Sequence, residues 1–368
     1  MKIVVVGAGI VGSSIAFHLT RRNAEVTLID RSEPGSGASS HSFAWINAGH
    51  KPPFSYHDLN RRSMDMWERF SQHLGADVGL RWGGKISWQS SPAPAEELRQ
   101  TTKHLQSWGY PIRLIDSDTL TKMEPGVSPG RVEAAEYSEI EGHVEPPMVI
   151  EACISKILQQ GGQVLTNTEM TGAEFGQGNK VHSVATTAGN IACDVVVLAG
   201  GVDNTKLAEY VGASIPQQTS PGVVIRTDPQ PKLLHSAPVV YLPAMDQQDQ
   251  EIHLRQLSDG ALMIGEGTQE SLALDDSQLH ADNLLARAVH YFPALESAKA
   301  IPVPVGYRPM PLDGYPVLGF VEEAPNVYMA LTHSGVTLAP IIGQTASIEI
   351  LDGADVEILS PYRPGRFR

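Results

Sequence analysis

The sequence predicts an α/β protein with two discontinuous domains, one built on a parallel sheet and one on a mainly antiparallel sheet. A glycine-rich turn joins a strand to a helix within residues 4–30, and a short, wholly apolar strand is expected at 195–198. Apolar and polar residues alternate repeatedly over 223–267. Wholly apolar strands are typical of parallel sheets covered on both faces, whereas alternation is typical of antiparallel sheets.

The length of the chain supports two domains. Its 368 residues exceed the usual size of a single hydrophobic core. We expect one domain to comprise residues 1–50, 141–215 and 306–368, and the other to comprise 51–140 and 216–305. The two would share a crevice, because no linker is long enough to separate them.

The charge balance limits the classes of partner. The chain has 27 basic and 41 acidic residues, a formal net charge of -14, which argues against nucleic acids and anionic membranes as main partners. No stretch is long and apolar enough for stable membrane insertion. Cys153 and Cys193 lie in apolar contexts that favour reduced, packed thiols, which suits the cytoplasm. The oligomeric state stays open, a homo-oligomer included.

The first motif lies at residues 4–30, where Gly7, Gly9 and Gly12 separate an apolar strand from a helical pattern. Each glycine removes a side chain that would block a tight turn, a pyrophosphate or helix packing. The helix that begins near Gly12 directs free N–H groups at the phosphates. Asp30 ends a second strand, where its carboxylate accepts ribose hydroxyls and repels a 2′-phosphate. The motif predicts a dinucleotide other than NADP and leaves NAD and FAD open.

The next elements interrupt the βαβ series. Residues 31–53 are rich in glycine, serine and proline and predict a long loop, which is usually functional. Residues 55–75 predict an amphipathic helix that ends at a glycine, 80–89 a strand with two glycines, and 93–109 another helix. We interpret this block as an insertion.

The dinucleotide-binding pattern then resumes. Residues 146–176 predict a helix and a strand, and 180–201 a hairpin that leads into the wholly apolar strand. After the alternating segment, residues 326–353 predict a strand, a turn and a long helix. The two sheets are therefore each assembled from separate parts of the chain.

Together these segments resemble the glycine oxidase / D-amino-acid oxidase superfamily of FAD-dependent amine and amino-acid oxidoreductases, which includes the sarcosine oxidases. The resemblance runs from Lys2 to about Gly353. It implies FAD bound in an extended form by a doubly wound, Rossmann-type domain, under a mainly antiparallel sheet. We expect this FAD to be noncovalent, because the chain departs from the family at a position of covalent attachment described below. The segments that carry it are the glycine motif with Asp30, and residues 141–146, 194–201, 306–319 and 332–343.

The strand-turn-helix at 332–343 would present helix N-terminal N–H groups to the negative charge of a reduced flavin around N1 and the C2 carbonyl. The alternative from local sequence is plain helix capping by Thr332 or Ser334, and His333 could simply pack. The resemblance favours the flavin. The residues expected to bind FAD are Gly7, Gly9, Ile10, Val11, Gly12, Asp30, Arg31, Ser39, Ser40, His41, Gly200, His333, Ser334, Gly335, Val336 and Thr337.

Three residues are candidates for the substrate site. Arg308 matches the arginine of the family's G-x-R-P motif, which implies that its guanidinium fork binds a substrate carboxylate. Its alternative role is a surface ion pair. Tyr241 resembles the tyrosine beside the same carboxylate, and Arg255 lies one strand later. A tyrosine in an apolar run is otherwise a core residue.

The chain departs from the family pattern at specific positions. Gly306 stands where sarcosine oxidases have the cysteine that links FAD, so that thioether cannot form. Met263 falls near the position of a lysine that helps to activate oxygen, so no cation is expected there. His41 lies in the stretch where dimethylglycine-dehydrogenase-like relatives carry a flavin-linked histidine.

The resemblance implies oxidation of the C–N bond of a small amine or amino acid by hydride transfer to flavin N5, giving an imine that hydrolyses. Oxygen or a quinone would accept the electrons. The alternatives are an FAD-dependent 2-hydroxy-acid dehydrogenase and a flavin-binding subunit of a larger dehydrogenase complex. Motifs of zinc proteases, serine hydrolases and P-loop proteins are not found, and no metal is expected.

Overall fold

The structure, a computed structural model, describes residues 1–246, 249–267 and 272–367. The helices are α1 (Ile10–Arg21), α2 (Phe54–Leu74), α3 (Pro92–Ser107), α4 (Ser117–Met123), α5 (Pro146–Gln159), α6 (Asn204–Glu209), α7 (Gln278–Tyr291) and α8 (Gly335–Asp352). The earlier strands are β1 (Lys2–Val6), β2 (Glu25–Ile29), β3 (Trp45–Ile46), β4 (Arg81–Trp82), β5 (Lys85–Gln89), β6 (Ile112–Ile115), β7 (Ala134–Ser138), β8 (Gly142–His143), β9 (Gln163–Leu165), β10 (Met170–Phe175), β11 (Val181–Thr186) and β12 (Gly189–Ala192). The later strands are β13 (Val195–Leu198), β14 (Gln217–Gln218), β15 (Pro221–Gly222), β16 (Val224–Thr227), β17 (Val239–Leu242), β18 (Ile252–Gln256), β19 (Leu262–Glu266), β20 (Ala300–Pro302), β21 (Gly306–Tyr307), β22 (Met310–Pro311), β23 (Val317–Phe320) and β24 (Val327–Leu331).

The first sheet is six-stranded, in the order β23-β24-β13-β1-β2-β9. All neighbours are parallel except the edge strand β23, which is antiparallel to β24. Side chains of α1, α5 and α8 pack in the core on one face of this sheet, and β10, β11 and α6 contribute to the core on the other. Every residue of β13 is buried, so the prediction of a parallel sheet covered on both faces is confirmed.

The second sheet is eight-stranded, in the order β20-β16-β19-β18-β17-β5-β7-β6. It is antiparallel apart from the parallel pair β17 and β5, as the alternating sequence predicts. Alternate residues of its central strands, such as Val240, Leu254 and Ile264, pack in one core with α7. Because side chains alternate across a strand, the residues between them face the first sheet.

Helix α2 connects the two parts of the molecule. It ends at Gly75, whose φ of +66° is the left-handed conformation of a helix C-terminus, as predicted. Its Leu59, Trp67 and Phe70 pack in the core of the first sheet with α1 and α8. Residues 54–74, which the sequence groups with the second domain, thus contact the first sheet, while β5 and β7 join the second. The proposed domain boundaries stay a prediction.

Two further features agree with the composition. Cys153 and Cys193 are buried free thiols, and burial raises the pKa of both. Among the helices of residues 1–246, 249–267 and 272–367, none is both long and apolar enough to cross a membrane.

Candidate active site

A cavity of about 1140 Å³ lies where the carboxyl ends of the parallel strands meet the second sheet. Residues that follow β1, β2, β13 and β24 line one side, including Gly7, Asp30 and Gly200. Residues of β5, β17 and β18 line the other, including Lys85 and Tyr241. Ligands of open α/β sheets bind in such a crevice at the carboxyl ends of the strands.

The glycine turn after β1 is tight because Cβ atoms at two of its glycines would collide with neighbouring backbone. Gly7 has a φ of +104°, and a Cβ there would lie 2.4 Å from the carbonyl oxygen of Ala199. A Cβ on Gly12 would lie 1.9 Å from the carbonyl oxygen of Gly7. Gly7 and Gly9 line the cavity, whereas Gly12 is buried and packs against the backbone of Gly7. The turn therefore offers a surface made of backbone.

The N-terminus of α1 lies at this turn. The helix begins at Ile10, and its N-cap Gly9 provides no side-chain cap. The N–H of Ile10 donates to Ser39 Oγ at 3.1 Å. Ser39 and Val11 both line the cavity. The N-terminus of a helix and a serine hydroxyl therefore lie where a diphosphate is expected.

Asp30 lies at the end of β2, as predicted. Its Oδ2 accepts from the N–H of Ala8 at 2.7 Å and its Oδ1 from the N–H of Ser32 at 2.9 Å. Each carboxylate oxygen keeps a further lone pair, so the group can also accept a hydroxyl. Beside it, Arg31 forms an ion pair with Asp203 at 3.0 Å, a partner that the sequence did not indicate. The ribose contact stays a prediction.

The loop after Arg31 brings some predicted residues to the cavity and turns one away. His41 lines the cavity, whereas the exposed Ser40 does not and donates from Oγ to the carbonyl of Gly37 at 2.9 Å. Gly306 packs directly on His41, because a Cβ on Gly306 would lie 2.5 Å from the Cβ of His41. The two positions considered for a flavin link are therefore neighbours.

The turn before α8 and the first three residues of this helix line the cavity, from His333 to Thr337. Ser334 is the N-cap residue but makes no side-chain cap, so in the structure it does not have the capping role considered from local sequence. Its hydroxyl oxygen instead accepts from Lys51 Nζ at 2.6 Å and from the Tyr56 hydroxyl at 2.9 Å. The buried Oγ1 of Thr332 has no hydrogen-bond partner among the described residues and belongs to another lining residue. The Thr332 hydroxyl is therefore a polar group that a ligand in the cavity can bind.

Lys51 is the main lining residue that sequence reasoning missed. Its side chain is buried, and burial lowers its pKa to about 7. Burial, with Lys51 and Arg308 as nearby cations, lowers the pKa of His333 to about 3. His333 is therefore a neutral imidazole near two basic side chains. A lone lysine in a loop carries no motif, and only its contact with a residue 283 positions away reveals it.

Arg308 and Tyr241 both line the cavity, as predicted. Arg308 is half-buried, and its guanidinium donates to the carbonyl oxygens of Pro221 at 2.6 Å and Ser220 at 3.4 Å. Tyr241 stacks on His253 with ring centroids 4.9 Å apart, and burial raises the pKa of its hydroxyl. Burial and the nearby Arg308 lower the pKa of His253 to about 3.

Arg255 is the candidate substrate residue that the structure places elsewhere. It is 1% exposed and is not among the described residues that line the cavity. Its guanidinium contacts His143 Nδ1 at 3.2 Å and Met263 Sδ at 3.6 Å, and lies 5.7 Å from the ring centroid of Phe43. The sequence gives its strand correctly but cannot show that Phe43 covers it. Met263 contacts this guanidinium outside the residues that line the cavity, and the expectation that Met263 offers a flavin no cation stays a prediction.

Known proteins are similar to this chain in sequence. The FAD dependent oxidoreductase family matches residues 2–347. Glycine oxidase of Geobacillus kaustophilus (strain HTA426) is 26% identical over 354 residues, which cover 93% of this chain and 90% of that protein. A subunit of opine oxidase from Agrobacterium tumefaciens (strain Ach5) is 26% identical over 374 residues, covering 99% and 96%.

Solved structures share the fold. Glycine oxidase from Geobacillus kaustophilus has a TM-score of 0.86 at 24% identity and covers 98% of each chain. L-proline dehydrogenase from P. horikoshii has a TM-score of 0.85 at 23% identity, covering 100% of this chain and 97% of that one. The chain is thus an FAD-dependent oxidoreductase with the fold predicted from the sequence. It belongs to the FAD dependent oxidoreductase family, whose relatives include amino-acid and amine oxidases.

The residues present fit FAD. Gly7 and Gly9 present backbone to the cavity, and the buried Thr332 hydroxyl lacks a protein partner among the described residues. We expect Val11 and Ser39 to hold the diphosphate, Asp30 the ribose and the turn before α8 the flavin. These contacts stay predictions for the individual residues.

Proposed function

We propose that this protein oxidises the C–N bond of a small amino acid or amine. The observation that carries the proposal is the position of Arg308, whose guanidinium lines the same cavity as the dinucleotide turn and is held by two backbone carbonyls. A guanidinium fork matches a carboxylate in two parallel hydrogen bonds. Glycine oxidase and 4-methylaminobutanoate oxidase (formaldehyde-forming) of Paenarthrobacter nicotinovorans are among the relatives.

The protein side chains contribute orientation and exclusion of water. FAD, when bound, supplies the acceptor of the hydride. Arg308 would bind the substrate carboxylate and fix the α-carbon, while the rings of Tyr241, His253 and Trp45 wall the cavity. The substrate loses a hydride from carbon and a proton from nitrogen. Water then adds to the imine and releases the amine and a carbonyl product.

The test is anaerobic bleaching of the flavin absorbance of the holoenzyme. The panel comprises amino acids, N-methyl amino acids, amines without a carboxylate and 2-hydroxy acids. Bleaching by amino or N-methyl amino acids supports the proposal. Bleaching by 2-hydroxy acids alone would make the protein a hydroxy-acid dehydrogenase, the second candidate on this fold.

The electron acceptor and the assembly belong to the same proposal. Oxygen or a quinone would reoxidise the flavin, and stopped-flow mixing with each decides between oxidase and dehydrogenase. The opine oxidase relative is named as one subunit of an enzyme, which supports testing for a complex as well as for a homo-oligomer. A cytoplasmic location stays a prediction from the two free cysteines.

A further inference from the structure

Lys51 is a buried basic side chain that forms no ion pair with a carboxylate of the described residues. It is 5% exposed, lines the cavity, and donates from Nζ to Ser334 Oγ at 2.6 Å. Its Nζ also lies 5.8 Å from the ring centroid of Tyr56. No ion pair within 4.0 Å includes Lys51 across the part of the chain that the structure describes. Burial without an ion pair disfavours the charged form of Lys51, and an anion that binds beside its Nζ would stabilise the ammonium.

The carboxylate that acts on Lys51 is that of Glu141, which forms no ion pair with it within 4.0 Å. Glu141 Oε1 accepts the Tyr110 hydroxyl at 2.9 Å, and its buried Oε2 has no hydrogen-bond partner among the described residues. The other buried lysine of the cavity, Lys85, differs because its Nζ lies 2.6 Å from Glu136 Oε1. Lys85 therefore has a carboxylate partner within the protein, whereas Lys51 has none among the described residues.

The cavity thus combines Lys51 with the proposed carboxylate-binding Arg308. His333 lies near both, since each lowers the pKa of this imidazole. His333 is itself neutral, so it contributes no positive charge to the binding of an anion. An α-carboxylate bound at Arg308 would leave the Lys51 ammonium unpaired. A ligand that reaches both cations needs a second negative group.

We propose that Lys51 binds a second anionic group of the substrate, so that the enzyme prefers amino or imino acids with two carboxylates. The inference rests on the proposed function and names its substrate class. The competing explanation is that Lys51 stabilises negative charge on the reduced flavin. That explanation predicts an effect on the flavin that does not depend on the second carboxylate.

The experiment compares matched ligands on the holoenzyme. N-ethylglycine and iminodiacetate differ only in a methyl group replaced by a carboxylate. Butyrate and succinate differ by the same replacement and provide a matched pair of unreactive acids, whose Kd is read from the shift in flavin absorbance. We expect the dicarboxylate of each pair to be preferred about 10- to 100-fold, as for a charge-assisted hydrogen bond.

Two variants form a crossed test. Lys51→Met should abolish the preference and change the butyrate Kd by less than about twofold, while Arg308→Met should weaken the binding of both acids. Lys51→Arg should restore part of the preference, since it returns the charge. FAD content and the thermal midpoint show whether a variant is folded, and Lys51→Gln replaces Lys51→Met if the latter is not.

The outcomes separate the explanations. Equal binding of the two acids by the wild type, or equal loss of both in Lys51→Met, overturns the inference. A weaker sulfite adduct of the flavin in Lys51→Met, with the dicarboxylate preference intact, also overturns it in favour of the flavin. If no amino or imino acid bleaches the flavin, the proposed function fails, whatever the Kd values show.

Discussion

At the scale of single residues, the site depends on polar groups that backbone atoms hold in place. Arg308 is oriented by the carbonyl oxygens of Ser220 and Pro221, and Asp30 by the N–H groups of Ala8 and Ser32. Sequence reasoning could identify both because each sits in a short motif. It could not identify Lys51 or Thr332, which gain meaning only from contacts with distant segments.

Arg308→Met is expected to remove carboxylate binding and retain the fold. Losing one partner of a buried charged pair typically costs about 2 to 5 kcal/mol, so kcat/KM on an amino acid should fall roughly thirty-fold to several thousand-fold. An amine without a carboxylate should be nearly unaffected, and Arg308→Lys should rescue only in part. Unchanged kcat/KM, or loss of FAD, would assign Arg308 a structural role.

Asp30→Ala is expected to weaken FAD binding by about 1.5 to 3 kcal/mol, since a charge-assisted hydrogen bond is lost. The measurement is the Kd of FAD for the apoprotein by fluorescence quenching. Asp30→Asn is the matched control, because it keeps one oxygen for the backbone N–H groups but loses the charge. FAD affinity unchanged in both variants would place the ribose contact on another residue.

At the scale of elements, the buried Glu349 joins α8 to the C-terminal segment. Glu349 contacts the guanidinium of Arg363 at 2.6 and 2.9 Å, the Tyr328 hydroxyl at 2.7 Å and the N–H of Val356 at 2.9 Å. Its side chain is 3% exposed, so these partners replace water. Helix α8 is therefore held at its C-terminal end while its N-terminal turn lines the cavity.

Arg363→Met should destabilise the fold by about 3 kcal/mol, because a buried carboxylate loses its cation. The loss of stability is expected to lie at the low end of the usual range for a broken buried ion pair, because the Arg363 side chain is 29% exposed. Urea unfolding of the holoenzyme measures the change. The double variant with Glu349→Gln should lose less than the sum of the single variants. Additive losses would mean that the two side chains do not stabilise each other.

The elements show what could be predicted from sequence and why the rest could not. Periodicity and a terminal glycine were enough for α2, and alternation over 223–267 was enough for β16 to β19 of the second sheet but did not predict β6, β7 or β20. Alternation also places Tyr241 and His253 on the cavity side, opposite Val240 and Leu254. Arg255 shares the side of His253 yet is covered by Phe43. Phe43 belongs to a loop more than 200 residues before Arg255, so local sequence patterns cannot show this contact.

At the scale of the whole molecule, FAD is expected to be bound noncovalently, since Gly306 offers no sulfur. Acid precipitation should release intact FAD into the supernatant, measured by its absorbance. Flavin that stays with the precipitated chain would indicate a link, with His41 as the residue to test by peptide mass spectrometry. His41→Ala would then release the flavin.

Removal of FAD should lower the thermal midpoint of unfolding. A ligand at 100 times its Kd stabilises a protein by about 2.7 kcal/mol, and the cavity here lies between the two sheets. Differential scanning calorimetry of the holoenzyme and the apoprotein measures the change. Equal midpoints would mean that the cofactor contributes nothing to holding the sheets together.

The packing of Gly306 on His41 has a consequence for how a covalent flavoprotein could arise from this chain. A cysteine at position 306 would overlap the Cβ of His41, which belongs to the start of that side chain and cannot swing aside. The single substitution is therefore disfavoured in this background, and its acceptance requires the loop at position 41 to move or change first. A cysteine attachment at position 306 therefore depends on the side chain at position 41, so an engineer or a lineage must alter both positions to gain it.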